Sequence, residues 1–258
     1  MFSSHSLIPF VTAGHPDLDV TRDIVVELAQ AGAALVEIGI PFSDPVADGP
    51  TIQRSSFEAL RHGYTMEDYL ALVREIRRYT AVPLIFMSYL NPLLRFGLER
   101  LDREAAAAGL DGLLISDLTP EEAGTVWPNG VGPQQLKSIY LAAPTTAPER
   151  LKLISQAATG FIYLVARTGV TGAKTEVGGR LPELAAEIRR HASLPIAVGF
   201  GIRDRCDVER VWGFAEGAVV GSALVEFIEA HRDSSDLAAA CGRFLMENFL
   251  SAGEAPNS

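Results

Sequence analysis

Short apolar runs alternate with amphipathic stretches along this chain, and the alternation constrains the fold more than any other feature. Eight runs occur in 258 residues, or roughly one in every 32 residues. Most of the runs have glycine, proline or aspartate at or next to one end, and short apolar runs of this kind are expected for strands that are buried on both faces. The runs are Leu7–Val11, Ala34–Ile40, Pro83–Met87, Gly112–Ser116, Ser138–Ala142, Phe161–Val165, Pro195–Gly199 and Ala218–Gly221.

The stretches between the runs are predicted to be helices. Asp17–Ala31 begins with a capping residue and stops before a glycine, and Thr65–Tyr79 begins with a capping threonine and two acids. Five more stretches read similarly: Leu98–Ala108, Pro148–Ala158, Leu181–His191, Arg205–Phe214 and Asp236–Ser251. Eight strand–helix units predict a single α/β domain over residues 1–258, a (β/α)₈ TIM barrel. The competing arrangement is an open doubly wound sheet, but no GxGxxG follows the first strand to support its dinucleotide-binding form.

One region interrupts the regular pattern. After Asp117, the residues around Pro120 begin a helix well, but five glycines and prolines then follow closely: Gly124, Pro128, Gly130, Gly132 and Pro133. The sequence therefore predicts an irregular fourth helix region, with a short helix and then a loop.

Charge and cysteine content exclude several classes of protein. The formal charge is −10, which argues against a nucleic-acid or anionic-membrane surface. No apolar run approaches the roughly 20 residues of a membrane span. The two cysteines, Cys206 and Cys241, have no metal-ligand spacing and no disulfide framework. We therefore expect a cytoplasmic protein with no metal.

A carboxylate lies inside the second run. Side chains alternate along a strand, so Leu35, Glu37 and Gly39 share one face, which in a barrel points to the interior. Burial would raise the pKa of Glu37 and suit it to proton transfer. The alternative is a structural glutamate paired with an arginine or bonded to backbone. The following loop carries Asp44 and Asp48, at the strand end where barrel enzymes place their chemistry. Turn aspartates also commonly bond only nearby backbone.

Glycine-rich turns follow the last three runs. They are RTGVTGAK at 167–174, GFGIRD at 199–204 and VVGSALV at 219–225. Glycines let backbone N–H groups approach an anion, and a helix beginning near Gly221 and Ser222 would favour a phosphate. Glycine is also common after strands for purely structural reasons. Together with Glu37, the turns predict a phosphate-binding barrel enzyme that uses acid–base chemistry.

Four motifs resemble the alpha subunit of tryptophan synthase. They are EIGIPFSDPVADGPTIQ at 37–53, IPFVTAGHP at 8–16, TGVTG at 168–172 and GFGI at 199–202. The resemblance extends from about residue 7 to residue 250. It implies a carbon–carbon lyase of tryptophan biosynthesis that cleaves indole-3-glycerol phosphate to indole and glyceraldehyde 3-phosphate. Glu37 would then be the general acid/base, and Asp48 would bond the indole N–H.

The resemblance also assigns binding positions. It implies an indole pocket lined by Phe10, Met87, Tyr163 and Phe200, although each could be plain core packing. Phosphate would bind at Thr171, Gly172, Gly201, Gly221 and Ser222. Asp117 matches an acid used in loop closure. The positions that would face a partner are Pro41, Asp44, Asn91 and Pro92.

The partner implied by the resemblance is a beta subunit in an α₂β₂ heterotetramer, to which indole is channelled. Its pyridoxal phosphate would belong to that subunit, and no cofactor is expected in this chain. Compared with the family, the chain is expected to have a shortened N-terminus, which could expose the barrel floor. Two alternatives stay open: a stand-alone lyase, and a non-catalytic regulatory subunit. Other phosphate-binding barrel enzymes, such as the preceding enzyme of the same pathway, would need a catalytic lysine on a strand. The lysines of this chain are Lys137, Lys152 and Lys174, and we expect none of them to lie within a strand.

Overall fold

Eight parallel strands close into a barrel in chain order. The computed structural model describes residues 1–127, 136–165, 180–199 and 201–250. Within these residues each strand pairs with the next, and the last pairs with the first. The strands are β1 Ser6–Thr12, β2 Val36–Gly39, β3 Leu84–Ser88, β4 Gly112–Ile115, β5 Lys137–Ala142, β6 Ile162–Val165, β7 Ile196–Gly199 and β8 Gly217–Val220. The predicted (β/α)₈ barrel is confirmed.

Helices surround the barrel on its outer face. In the described residues they are α1 Leu18–Gln30, α2 Pro50–Leu60, α3 Met66–Ile76, α4 Leu90–Phe96, α5 Leu98–Ala108, α6 Pro120–Val126, α7 Pro148–Ala157, α8 Leu181–Arg189, α9 Arg205–Trp212, α10 Ser222–Ala230 and α11 Leu237–Phe249. None of these helices is long and apolar enough to cross a membrane.

The strand side chains divide into two apolar clusters because they alternate between the faces of the barrel wall. On β1, Leu7 and Val11 belong to the cluster between strands and helices, whereas Ile8 and Phe10 belong to the cluster inside the barrel. The other strands alternate in the same way, and the interior cluster fills the barrel as a packed core. A side chain's position along its strand therefore decides whether it faces the interior.

Polar side chains cap the starts of several helices, and the sequence predicts two of these caps, at Asp17 and Thr65. The Asp17 carboxylate accepts a hydrogen bond from the Val20 N–H of α1 at 2.8 Å. Thr65 forms a capping box at the start of α3, and Thr119 forms one with Glu122 at the start of α6. α6 has only 7 residues, which confirms the short fourth helix. The loop predicted after it falls largely on residues 128–135, outside the described residues.

Two helices were not predicted. The buried residues of α2 are Ser55, Ser56 and Ala59, so this helix lacks the apolar stripe by which an amphipathic helix is found in a sequence. α4 spans only 7 residues, too few to show a helical period.

The expectation that no lysine lies on a strand needs a correction. Lys137 is the first residue of β5, but its side chain is exposed and lies at the end of the strand opposite the barrel mouth.

The floor of the barrel is covered. Phe2 packs against Phe161 of the interior cluster in an edge-to-face contact, with ring centroids 5.1 Å apart. Met1 also packs against this cluster. The Trp212 indole N–H donates to the Ser6 carbonyl at 3.2 Å. The expectation of an exposed floor is therefore not met.

Gly39 makes room for the Phe10 ring inside the barrel. A Cβ at Gly39 would lie 2.4 Å from the ring, so Gly39→Ala forces Phe10 to move within a packed core. We expect this variant to lose about 1–3 kcal/mol of unfolding free energy, measured by urea denaturation. The matched control is Gly124→Ala on α6, where a Cβ meets nothing within 4 Å. Equal stability of the two variants would contradict the overpacking argument.

Candidate active site

Glu37 lies inside the barrel, in the middle of β2. It is 1% exposed, and its neighbours in the strand register are Phe10 on β1 and Ile85 on β3. Neither carboxyl oxygen has a hydrogen-bond partner among the described residues. Among the described residues, therefore, neither an arginine nor a backbone group holds Glu37 as a structural glutamate would be held. A buried carboxyl without a partner is costly and is typical of a site that binds or reacts.

Two buried carboxyls at the barrel mouth have pKa values that are raised to different extents. Loss of water and, to a smaller extent, the nearby charge of Asp48 together raise the pKa of Glu37 to about 8. Loss of water also raises the pKa of Asp48, to about 6. At neutral pH Glu37 therefore holds its proton and Asp48 is mostly ionised. One group can donate a proton while the other stabilises positive charge.

Tyr89 opposes the effect of burial on Asp48. Its hydroxyl donates a hydrogen bond to the Asp48 carboxylate, which lowers the pKa of Asp48 against the effect of burial. The same hydroxyl accepts from the Ala47 N–H at 2.9 Å. The Gln53 side chain donates to the Asp48 carbonyl at 2.9 Å. Sequence reasoning missed Tyr89, and the available signal was a polar aromatic side chain directly after a strand.

Aromatic side chains line the space around Glu37. The Phe10 ring lies over Gly39, and the Tyr163 hydroxyl lies over Gly199, where a Cβ would approach within 1.9 Å. Met87 is beside Gly39 in the strand register. Burial raises the pKa of Tyr163, and the charges of Glu37 and Asp48 raise it further, so this tyrosine faces both carboxyls. The structure thus brings Phe10, Met87 and Tyr163 together with the carboxyls.

The glycine turns are described in part. Thr171, Gly172 and Phe200 lie outside the described residues. Gly201 has a φ of +108°, which favours glycine, and the space where its Cβ would stand is open. Gly221 is the N-cap residue of α10, and Ser222 is the first residue of that helix. A Cβ placed on Gly221 would lie 3.8 Å from the Phe10 side chain. Gly221 therefore adjoins the aromatic pocket at Phe10.

The remaining predicted positions lie around the mouth. The Asp117 carboxylate accepts from the Leu90 N–H at 2.7 Å, so it joins the turn after β4 to the start of α4. Asn91 and Pro92 belong to the first turn of α4, with Asn91 exposed. Asp44 is exposed, whereas Pro41 is buried in the chain alone. Loop closure and partner contact at these residues stay predictions.

A family model described as "Tryptophan synthase alpha chain" matches residues 2–250. The chain is 46% identical over 227 residues to the tryptophan synthase alpha chain of Geotalea uraniireducens, which covers 88% of this chain and 85% of the relative. It is 47% identical over 225 residues to the alpha chain of Chloroflexus aurantiacus, covering 87% and 84%.

A solved structure of the tryptophan synthase α₂β₂ complex from Pyrococcus furiosus is also similar to this chain. It superposes with a TM-score of 0.87 at 38% sequence identity, covering 96% of this chain and 98% of that one. Backbone and sequence thus agree over almost the whole length.

We predict that Tyr89→Phe raises the pKa of the Asp48 carboxyl above about 6, because the hydrogen bond that favours the ionised form is removed. An NMR titration of the carboxyl carbons measures this shift. The matched control is Tyr140→Phe, a buried tyrosine on the outer face of β5. An unchanged Asp48 titration in Tyr89→Phe would show that the hydroxyl does not hold the carboxylate.

We also predict that Glu37→Gln changes how stability depends on pH. The unfolded carboxyl ionises near 4.5, and the folded one ionises near 8. Between these values the folded state binds more protons, so the contribution of Glu37 to stability falls as pH rises. The variant lacks this fall, so its stability relative to the wild type grows across that window, by at most about 5 kcal/mol. Urea denaturation at several pH values tests this, and parallel curves would contradict it.

Proposed function

The chain belongs to the tryptophan synthase alpha chain family, and from this premise we propose that Glu37 and Asp48 are the catalytic pair of its lyase reaction. The reaction of the family is the retro-aldol cleavage of indole-3-glycerol phosphate to indole and glyceraldehyde 3-phosphate. The observation that carries the residue assignment is the pair of buried carboxyls whose pKa values are raised to about 8 and about 6. Two such groups suit a reaction that needs an acid and an anion at once.

In the proposed first step, Glu37 donates its proton to the indole ring carbon that bears the glycerol side chain. A neutral indole ring is a poor leaving group, and protonation converts it to an indolenine cation that accepts the electrons of the breaking bond. Glu37 holds the required proton at neutral pH because it is buried and has no hydrogen-bond partner among the described residues.

In the second step, the ionised Glu37 accepts the proton of the glycerol hydroxyl. The carbon–carbon bond then breaks, its electrons return to the ring, and the hydroxyl carbon becomes the aldehyde of glyceraldehyde 3-phosphate. Glu37 ends the cycle protonated, so no proton is gained or lost overall. The carboxylate of Asp48 bonds the indole N–H and stabilises the positive charge of the intermediate. Tyr89 keeps Asp48 ionised for this role.

We propose that Phe10, Met87 and Tyr163 hold the indole ring between them. Phosphate would bind at Gly201, Gly221 and Ser222, because the first N–H groups of a helix lack intrahelical partners and carry partial positive charge. Thr171, Gly172 and Phe200 complete the proposed substrate site. This local binding of an anion is needed because the chain carries a net charge of −10.

We propose that the chain assembles with a beta subunit as an α₂β₂ complex and passes indole to it. Support comes from the similar Pyrococcus furiosus structure, which is such a complex. Asp44, Asn91, Pro41 and Pro92 are the proposed contact positions, and Asp117 the proposed loop-closure residue. Pyridoxal phosphate would belong to the beta subunit and enters none of the steps above. We also propose a cytoplasmic location, which suits the free thiols of this chain.

We predict that Glu37→Gln lowers kcat for indole-3-glycerol phosphate cleavage by about 10²–10⁴-fold, because a Gln amide cannot transfer the proton. Asp48→Asn should reduce the rate as well, since it removes the charge that stabilises the intermediate. The control is Glu209→Gln, an exposed glutamate that pairs with Arg205 at 2.8 Å on the outer surface. Near wild-type turnover in Glu37→Gln would remove this residue from the mechanism.

The partner is tested by measuring cleavage with and without added beta subunit. Turnover that rises on addition supports the two-subunit synthase, whereas strong turnover that is indifferent to the beta subunit indicates a stand-alone lyase. Wild-type protein without cleavage activity in either condition would indicate a regulatory subunit instead.

A further inference from the structure

A second polar site lies outside the barrel mouth, in a cleft between α2, α10 and the turn that follows β1. His15 comes from the turn, Glu58 from the last turns of α2, and Glu229 from α10. One ligand atom from each of the three side chains can be chosen so that all lie within 4.8 Å of one another. Neither Glu37 nor Asp48 takes part in this cleft.

His15 is the unusual member of the cluster. Its side chain is 97% buried, and its Nε2 atom makes no hydrogen bond with any described residue. This nitrogen nevertheless points into the cluster, with Glu229 Oε2 at 3.1 Å. The pKa of His15 lies below its usual value, chiefly because burial removes water and although the charges of Glu229 and Glu58 favour the protonated form.

Arg232 holds the two carboxylates from the outside. Its guanidinium binds Glu58 Oε2 at 2.8 Å and Glu229 Oε1 at 3.2 Å. The Oε2 atom of Glu229 remains directed at His15. A carboxylate offers about four lone-pair sites, so the contact with Arg232 leaves both glutamates able to bind an ion. An outer group that orients metal ligands in this way is common around metal centres.

We propose that His15, Glu58 and Glu229 form a binding site for a divalent transition-metal ion, Zn²⁺, with water as a fourth ligand. The donor set favours this class, because one imidazole nitrogen and two carboxylate oxygens suit zinc, whereas calcium and magnesium take oxygen ligands only. The ion would join α2 to α10 and to the turn after β1. The inference is independent of the lyase chemistry.

The test is a titration of the purified full chain with Zn²⁺. Isothermal calorimetry measures binding, and the thermal unfolding midpoint measures stabilisation. We expect one Zn²⁺ ion per chain with a Kd below about 10 µM and a rise in the midpoint on zinc addition. Glu229→Gln, which keeps the size of the side chain, should weaken binding at least about tenfold and reduce the rise in the midpoint. His15→Ala should do the same.

Two control variants separate this site from other zinc-binding groups. His191→Ala removes an exposed histidine that lies 3.3 Å from Glu187 on the barrel surface, and it should leave zinc binding unchanged. Cys206→Ser removes the exposed thiol and should also leave binding unchanged. Circular dichroism establishes that each variant is folded, and Glu229→Gln decides the case if His15→Ala does not fold. Absence of zinc binding, or equal binding by wild type and Glu229→Gln, would overturn the proposal.

Discussion

Closure of eight parallel strands into a barrel is the constraint on which the rest of the structure depends. In a closed wall every strand residue faces either the helices or the interior, and successive residues alternate between the two. Val36 and Ile38 accordingly pack under the helices, while Glu37 between them must face inward. No change of rotamer can take that carboxyl to the outer surface, so its ionisation is governed by the interior.

The barrel can bury the Glu37 carboxyl because the stabilisation from the surrounding packed apolar side chains offsets the cost of burying it. The wall around Glu37 is made of side chains such as Ile8, Leu35 and Ile85, none more than 1% exposed. Burial of apolar surface stabilises the fold, and burial of the carboxyl opposes it. The raised pKa of Glu37 expresses the second effect directly. The same desolvation that costs stability keeps a proton available at neutral pH, which links the stability of the barrel to its chemistry.

The segment after β2 connects the carboxyls at the barrel mouth to the outer cleft. It carries Asp48 at the mouth and then turns into α2, whose far end presents Glu58 to the outer cleft. Tyr89 fixes the start of this segment through Asp48 and the Ala47 N–H. A metal ion at the cleft would fix its other end. One end of the segment is thus held by Tyr89 at the barrel mouth, and the other end places Glu58 in the outer cleft.

The sequence by itself determined the barrel, the seven longer helices found by their period and caps, and the inward direction of Glu37, because each depends on local pattern. α2 was missed because Ser55, Ser56 and Ala59 bury small or polar side chains and leave no apolar stripe. The motif pointed to Asp48, but only the tertiary structure decided that it meets Tyr89. The same holds for His15, Glu58 and Glu229, which three separate elements bring together. The physical reason is that hydrogen bonds and ligand geometry depend on distances in space, which the closed barrel sets and a linear pattern does not encode.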